Sequence, residues 1–195
     1  MLRAHVQHLD AILLTHEHND HVIGLDDVRP FNYSSGKFMA VFAQSRVLQE
    51  IYRRFDYVFG DPIPGLPKIT LNPIDAEKAI SFGAFLVQPI QVLHGQLPIL
   101  GFRMGNLTYL TDVKTILPAE KEKIKHTKYL IVNALHHRYH PTHMNLEEAL
   151  DFIAEMAPEK AWLTHISHQM GKAATIAPLL PSNVALGYDG LEIQF

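Results

Sequence analysis

The stretch Thr15-His16-Glu17-His18-Asn19-Asp20-His21, directly after the apolar run Ala11–Leu14, decides how this chain is read. His16, His18, Asp20 and His21 place three imidazoles and a carboxylate within six positions, and such donors suit zinc, manganese or iron. The run Ala-Ile-Leu-Leu reads as a buried strand that delivers these donors on the loop behind it, where a rigid scaffold usually carries chemistry. His16 and His18, two apart in an extended segment, point the same way. Asp20 and His21 are adjacent and are expected to diverge, so that one loop serves two neighbouring metals. The competing reading is a polar loop capping a helix with Asn19 or Asp20. Thirteen histidines are too few to make His-x-His-x-Asp-His a common accident.

Working outward, 195 residues fit one domain, 1–195, with enough chain for a substantial core. Hydrophobic residues make up 47% and charged residues 19%, the balance of a globular protein. Seventeen basic against 20 acidic residues give a net charge of −3, which argues against a long nucleic acid gripped through its phosphates. The absence of cysteine excludes disulfides, thiolate nucleophiles and Cys-based zinc sites, and fits a cytoplasmic protein. No apolar stretch has the length of a membrane span, and the start from Met1 to His8 is too polar for a signal peptide.

The pattern predicts an α/β chain without repeats. Strands are expected at Ala11–Leu14, Phe38–Phe42, Phe85–Leu93, Leu107–Leu110, Tyr129–Ala134 and Lys160–Leu163. Helices are expected at His21–Val28, at Ser45–Phe55 with Ser45 as N-cap, and at Leu146–Met156 with Asn145 as N-cap. The segment 61–67 carries three prolines and must be a loop. Strand after strand ends in a potential ligand: His16, His94, Asp112 and His165. Each of the last three is ambiguous alone, but their repetition points to one site built at strand ends. Asp112 is the natural bridge, since a carboxylate has two oxygens.

These motifs resemble the metallo-β-lactamase superfamily of binuclear hydrolases. The continuation Gly24-Leu25-Asp26-Asp27-Val28-Arg29-Pro30-Phe31, the segment Pro67-Lys68-Ile69-Thr70 and the terminal Gly187-Tyr188-Asp189-Gly190-Leu191-Glu192-Ile193 resemble its branch of cyclic-phosphate phosphodiesterases of phosphonate breakdown, relatives of tRNA 3′-processing endonucleases. The resemblance implies a four-layered αβ/βα sandwich with two divalent metals, zinc or manganese with iron as an option. His16, His18 and His94 would hold one metal, Asp20, His21 and His165 the other, with Asp112 between them. Metals about 3.5–4 Å apart would share a hydroxide that attacks phosphorus. Asp20 and His143 are the candidate catalytic groups. His143, Arg29 and His140 are the candidate substrate contacts. Asp26, Asp27 and His168 are the candidates for steadying the ligands. The loop histidines His136, His137 and His140 read foremost as a polar rim. Chains of this branch begin with Gly-Thr-Gly-Thr and a later Asp-Thr-Gly, which here have no counterpart before residue 16. The resemblance therefore implies an N-terminally truncated domain with an edge open to a partner, and a homodimer.

The leading expectation is a phosphodiesterase on a small or cyclic phosphate ester. A tRNA 3′-processing role and thioester or lactam hydrolysis are the enzymatic alternatives. An oxygen-reducing diiron site is disfavoured because residue 18 is His where that class needs a carboxylate. A truncated fragment that binds metal without turnover is the non-enzymatic alternative.

Overall fold

The structure, a computed structural model, describes residues 4–61, 63–83 and 85–195. The expectations resting on Met1 to Arg3 and on Pro62 lie outside them. The chain forms two compact units, Met1–Ala76 and Glu77–Phe195.

In the first unit, β1 (Ile12–Leu13), β2 (Met39–Ala43) and β3 (Ile69–Pro73) form a parallel sheet in the order β1-β2-β3. The helices are α1 (Asn19–Val22), α2 (Arg29–Ser35), α3 (Ser45–Arg54) and α4 (Asp56–Phe59), with a 3₁₀ turn at Ile23–Val28. Val41, Ala43, Val47 and Ile51 are fully buried, as the apolar face of α3 packs on the strands. Ser45 is the first helical residue of α3 rather than its cap; Gln44 holds the cap position and makes no side-chain cap bond. The helix expected from His21 begins two residues earlier and tightens to 3₁₀ geometry after Val22, and neither Asn19 nor Asp20 caps it.

The second unit holds β4 (Ile80–Phe82), β5 (Phe85–His94), β6 (Leu97–Met104), β7 (Leu107–Tyr109), β8 (Tyr129–Asn133), β9 (Lys160–Thr164) and β10 (Val184–Leu186). Their order is β10-β9-β8-β7-β6-β5-β4, antiparallel from β4 to β7 and parallel from β7 to β10. Leu130 and Val132 of β8 and Ala161 and Leu163 of β9 face a core completed by α5 (Pro118–Ile124), α6 (Leu146–Met156) and α7 (Ala173–Ile176). The helix α6 has the predicted bounds, and Asn145 caps it in a reciprocal pair with Glu148.

β6 escapes a pattern reading because Pro98 and Gly101 break its run. Pro89 and Pro98 are tolerated in this hairpin because each lies on a stretch paired on one side only. Along β5 the amides facing away from β6 find other acceptors. Gln91 N–H reaches the buried Glu120 carboxylate at 2.7 Å and Leu93 N–H reaches Thr115 O at 2.9 Å. Pro89 at the same phase needs no partner.

Candidate metal centre

In the first unit the loop of candidate ligands leaves β1 and turns into α1. His16 is fully buried, and its Nδ1 meets Thr15 Oγ1 at 3.0 Å. Its Nε2 meets His18 Nδ1 at 3.0 Å, so these two rings converge as their spacing predicts. Asp20 and His21 do not diverge: His21 Nε2 lies 3.2 Å from Asp20 Oδ2. Both sit on α1, where neighbouring side chains of unequal length can fold toward each other, so the extended-strand argument does not apply. The His16 and His21 ring centroids are 4.3 Å apart.

Two arginines of α3 hold this loop. Arg46 pairs with the Glu17 carboxylate, and Arg54 donates to Glu17 O at 2.6 Å and to Asn19 Oδ1 at 2.8 Å. The sequence reading passed over them, although their spacing of eight puts both on one face of α3. Asp26 accepts the Tyr57 hydroxyl at 2.7 Å. Burial first, and then that bond, push the Tyr57 phenol up to about 12. Arg29 donates to Asp26 O at 3.1 Å on an exposed turn, and Asp27 is exposed.

In the second unit, β5, β7, β9 and the loop before α6 bring His94, Asp112, His165 and His143 together. Asp112 is nearly fully buried and adopts a left-handed backbone, φ +57°, as does His165 at φ +52°. Non-glycine residues rarely take this conformation, and here it falls on two candidate ligands. Thr111 Oγ1 donates to Asp112 Oδ1 at 2.6 Å, His165 Nδ1 lies 3.3 Å from the same oxygen, and His143 Nε2 lies 3.2 Å from Oδ2. His94 Nδ1 lies 2.9 Å from the Asp112 carbonyl. His143 stacks on His165 with centroids 5.1 Å apart and meets His94 edge-on at 4.5 Å. Donor atoms of His94, Asp112 and His143 all lie within 4.8 Å of one another.

The peptide after Asp112 is gripped by Asn133, which the sequence reading left inside the strand Tyr129–Ala134. Its fully buried amide accepts Val113 N–H at 2.7 Å and donates to Val113 O at 3.1 Å. Met144 N–H also donates to Val113 O, at 2.7 Å, which ties the His143 loop to the Asp112 turn. The available signal was a buried amide closing the apolar run Tyr-Leu-Ile-Val-Asn.

The loop histidines are not all rim. His136 is buried and its Nδ1 accepts Arg138 N–H, because the chain turns back on itself there, while His137 Nε2 meets Met170 O at 2.9 Å. His140 is half-buried, its Nδ1 3.1 Å from His143 Nδ1. Burial first, and then neighbouring His143, His136, His94 and Lys114, lower its pKa below the ordinary histidine value. His168 opens a 3₁₀ turn and is exposed.

Comparison with known proteins gives four findings. A family model described as the beta-lactamase superfamily domain matches residues 1–166. A Porphyromonas gingivalis protein named octanoyltransferase is 39% identical over 193 residues, 98% of this chain. This chain spans only 39% of that relative's length. The crystal structure of a diphosphatase from the PhnP family superposes with a TM-score of 0.91 at 31% identity, covering all of this chain and 74% of the other. Human tRNase Z, short form, shares the fold with a TM-score of 0.66 at 18% identity, over 95% of this chain and 78% of its own.

Proposed function

The chain belongs to the β-lactamase superfamily and, within it, to the PhnP family, and on that premise we propose that it is a metal-dependent hydrolase of a small or cyclic phosphate ester. The observation that carries this reading is the Asp112 carboxylate, set in a left-handed turn with His165 against one oxygen and His143 against the other.

The donor set suits divalent metals. Imidazoles and carboxylates are the ligands zinc, manganese and iron accept, and His16 Nε2 facing His18 Nδ1 at 3.0 Å is an arrangement a cation favours. The family resemblance assigns His16, His18 and His94 to one metal, Asp20, His21 and His165 to the second, and Asp112 to both. When bound, the metals supply Lewis acidity and make water acidic enough to attack near neutral pH. The chain's own residues bind and orient. His143, aided by His140 on its other side, is proposed to hold a phosphate oxygen and to hand a proton to the leaving oxygen. Asp20 is proposed as the second catalytic group, and Arg29 as a contact to the outer part of the substrate. His168, Asp26 and Asp27 remain proposed supports for the ligands, with Asp26 acting through Tyr57.

A second reading is hydrolysis of an acyl thioester. It is favoured by the name of the Porphyromonas gingivalis relative and by the ability of an activated water to attack a carbonyl. Elemental analysis after reconstitution with zinc or manganese, followed by assay of bis-p-nitrophenyl phosphate, a cyclic nucleotide, precursor tRNA and octanoyl thioester, separates the two. The proposal expects two metals per chain and diester turnover lost in Asp112→Asn. Turnover of the thioester alone would replace it, and precursor tRNA cleaved as fast as small diesters would move the substrate to RNA. The proposal also includes a cytoplasmic homodimer, checked by light scattering and cell fractionation. Among the described residues no helix is long and apolar enough to cross a membrane.

A further inference from the structure

We propose that Thr142 is a positioning residue whose hydroxyl selects the ring tautomer of His143. Its rate readout rests on the hydrolase reading above, whereas its ring readout rests on geometry alone.

His94 Nδ1 lies 2.9 Å from the Asp112 carbonyl and 2.9 Å from the Thr142 carbonyl. Carbonyl oxygens only accept, so this nitrogen carries the proton and Nε2 is the ring's acceptor nitrogen. The Thr142 carbonyl is therefore half of the device that fixes this ring.

The side chain of Thr142 does the same for His143. His143 Nε2 faces Asp112 Oδ2 at 3.2 Å, where an ionised carboxylate requires a donor. A neutral His143 then has a lone pair at Nδ1. That atom lies 3.1 Å from His140 Nδ1, which accepts the Thr142 amide at 3.3 Å and so also presents a lone pair. Two lone pairs at this distance repel unless a donor stands beside them. Thr142 Oγ1 is that donor, 2.9 Å from His143 Nδ1 and 3.2 Å from His140 Nδ1. Without it, the cheapest relief is for the His143 proton to move to Nδ1 and bond His140. The Nε2 lone pair would then point at Asp112, and the ring would turn away.

Gly95 makes room for this residue. It sits at φ +62° in the β5–β6 turn, and a Cβ there would lie 2.9 Å from Thr142 Cγ2. The threonine methyl thus rests on a glycine that the turn already requires.

The test compares Thr142→Val, which keeps the shape and loses the hydroxyl, with Thr142→Ser, which keeps the hydroxyl. Histidine ¹⁵N spectra of the metal-free chain at pH 8, with His143 assigned through His143→Gln, should show His143 protonated at Nε2 in the parent and in Thr142→Ser, and at Nδ1 in Thr142→Val. With zinc loaded, kcat/KM on bis-p-nitrophenyl phosphate should fall about tenfold in Thr142→Val at unchanged metal stoichiometry and recover in Thr142→Ser. An unchanged His143 tautomer in Thr142→Val, or a serine variant as impaired as valine, overturns the proposal. A parent chain that binds metal but turns over no substrate removes the hydrolase reading, while the ring spectra still decide on Thr142.

Discussion

Asn133→Ala asks whether a buried amide, rather than the candidate ligands around it, holds Asp112 in its left-handed turn. The substitution removes both bonds to Val113, at 2.7 and 3.1 Å. Val113 N–H is left buried without an acceptor, which costs about 1–3 kcal/mol. Val113 O keeps the Met144 amide, so its loss is smaller, about 0.5 kcal/mol. The sum is about 1.5–3.5 kcal/mol, a large share of a domain's stability. At a urea slope of about 2.5 kcal/mol per molar the unfolding midpoint should fall by about 1 M. The single tryptophan, Trp162 on β9, reports this transition from within the same unit. Asn133→Asp should not rescue it, because the second carboxylate oxygen would face the Val113 carbonyl that the amide nitrogen now serves. Zinc affinity should fall in parallel, since Asp112 at φ +57° relaxes when Val113 is released. An unchanged midpoint would refute the reasoning, as would a lower midpoint with zinc affinity intact.

Asn145→Ala removes one side of the reciprocal cap on α6 and should cost about 1 kcal/mol, seen as a lower melting temperature that Asn145→Asp largely restores. Gly101→Ala puts a Cβ against Leu110 and 2.8 Å from Tyr109 O. Backbone cannot yield there, so thermal melting should show about 1–3 kcal/mol of destabilisation. The phenol of Tyr57 is pushed up to about 12 by burial and by Asp26. Because the folded value is raised, its contribution to stability is whole below the ordinary tyrosine pKa and is lost as pH climbs from about 10 to about 12. Absorbance at 295 nm should show a late-titrating tyrosine that moves to lower pH in Asp26→Asn. Zinc should raise the melting temperature in proportion to the logarithm of its concentration, reversibly with a chelator, and less so in Asp112→Asn; an equal rise in that variant would exclude Asp112 as a ligand.

The strand-then-ligand pattern was legible because it is local. A short apolar run buries itself, and the polar residue after it must emerge at the strand's end, which is why β1, β5, β8 and β9 were found and why His94 and His165 stood out. α6 was legible for the same reason, since its apolar spacing and its Asn145 cap both lie within a dozen residues. β6 and α5 were not, because what makes them viable is distant. Pro98 is harmless only beside an unpaired strand edge, and the buried Glu120 is held by the distant Gln91 N–H as well as by neighbouring Lys123. The opposed outcomes for His16 with His18 and for Asp20 with His21 mark the same boundary, as spacing predicts direction only once the backbone conformation is known.

The sequence by itself determined the chemistry available to this protein: histidines and aspartates at strand ends, no thiol, and the donor types that divalent metals accept. The tertiary structure alone decided which atoms of those residues are presented. Asp112 sits in a left-handed turn with Asn133, twenty-one residues away, gripping the next peptide, and two carbonyls from other segments face His94 Nδ1 and call for its proton there. Residue type is fixed at each position of the chain, whereas tautomer, side-chain direction and backbone strain depend on partners that only folding brings within hydrogen-bond distance.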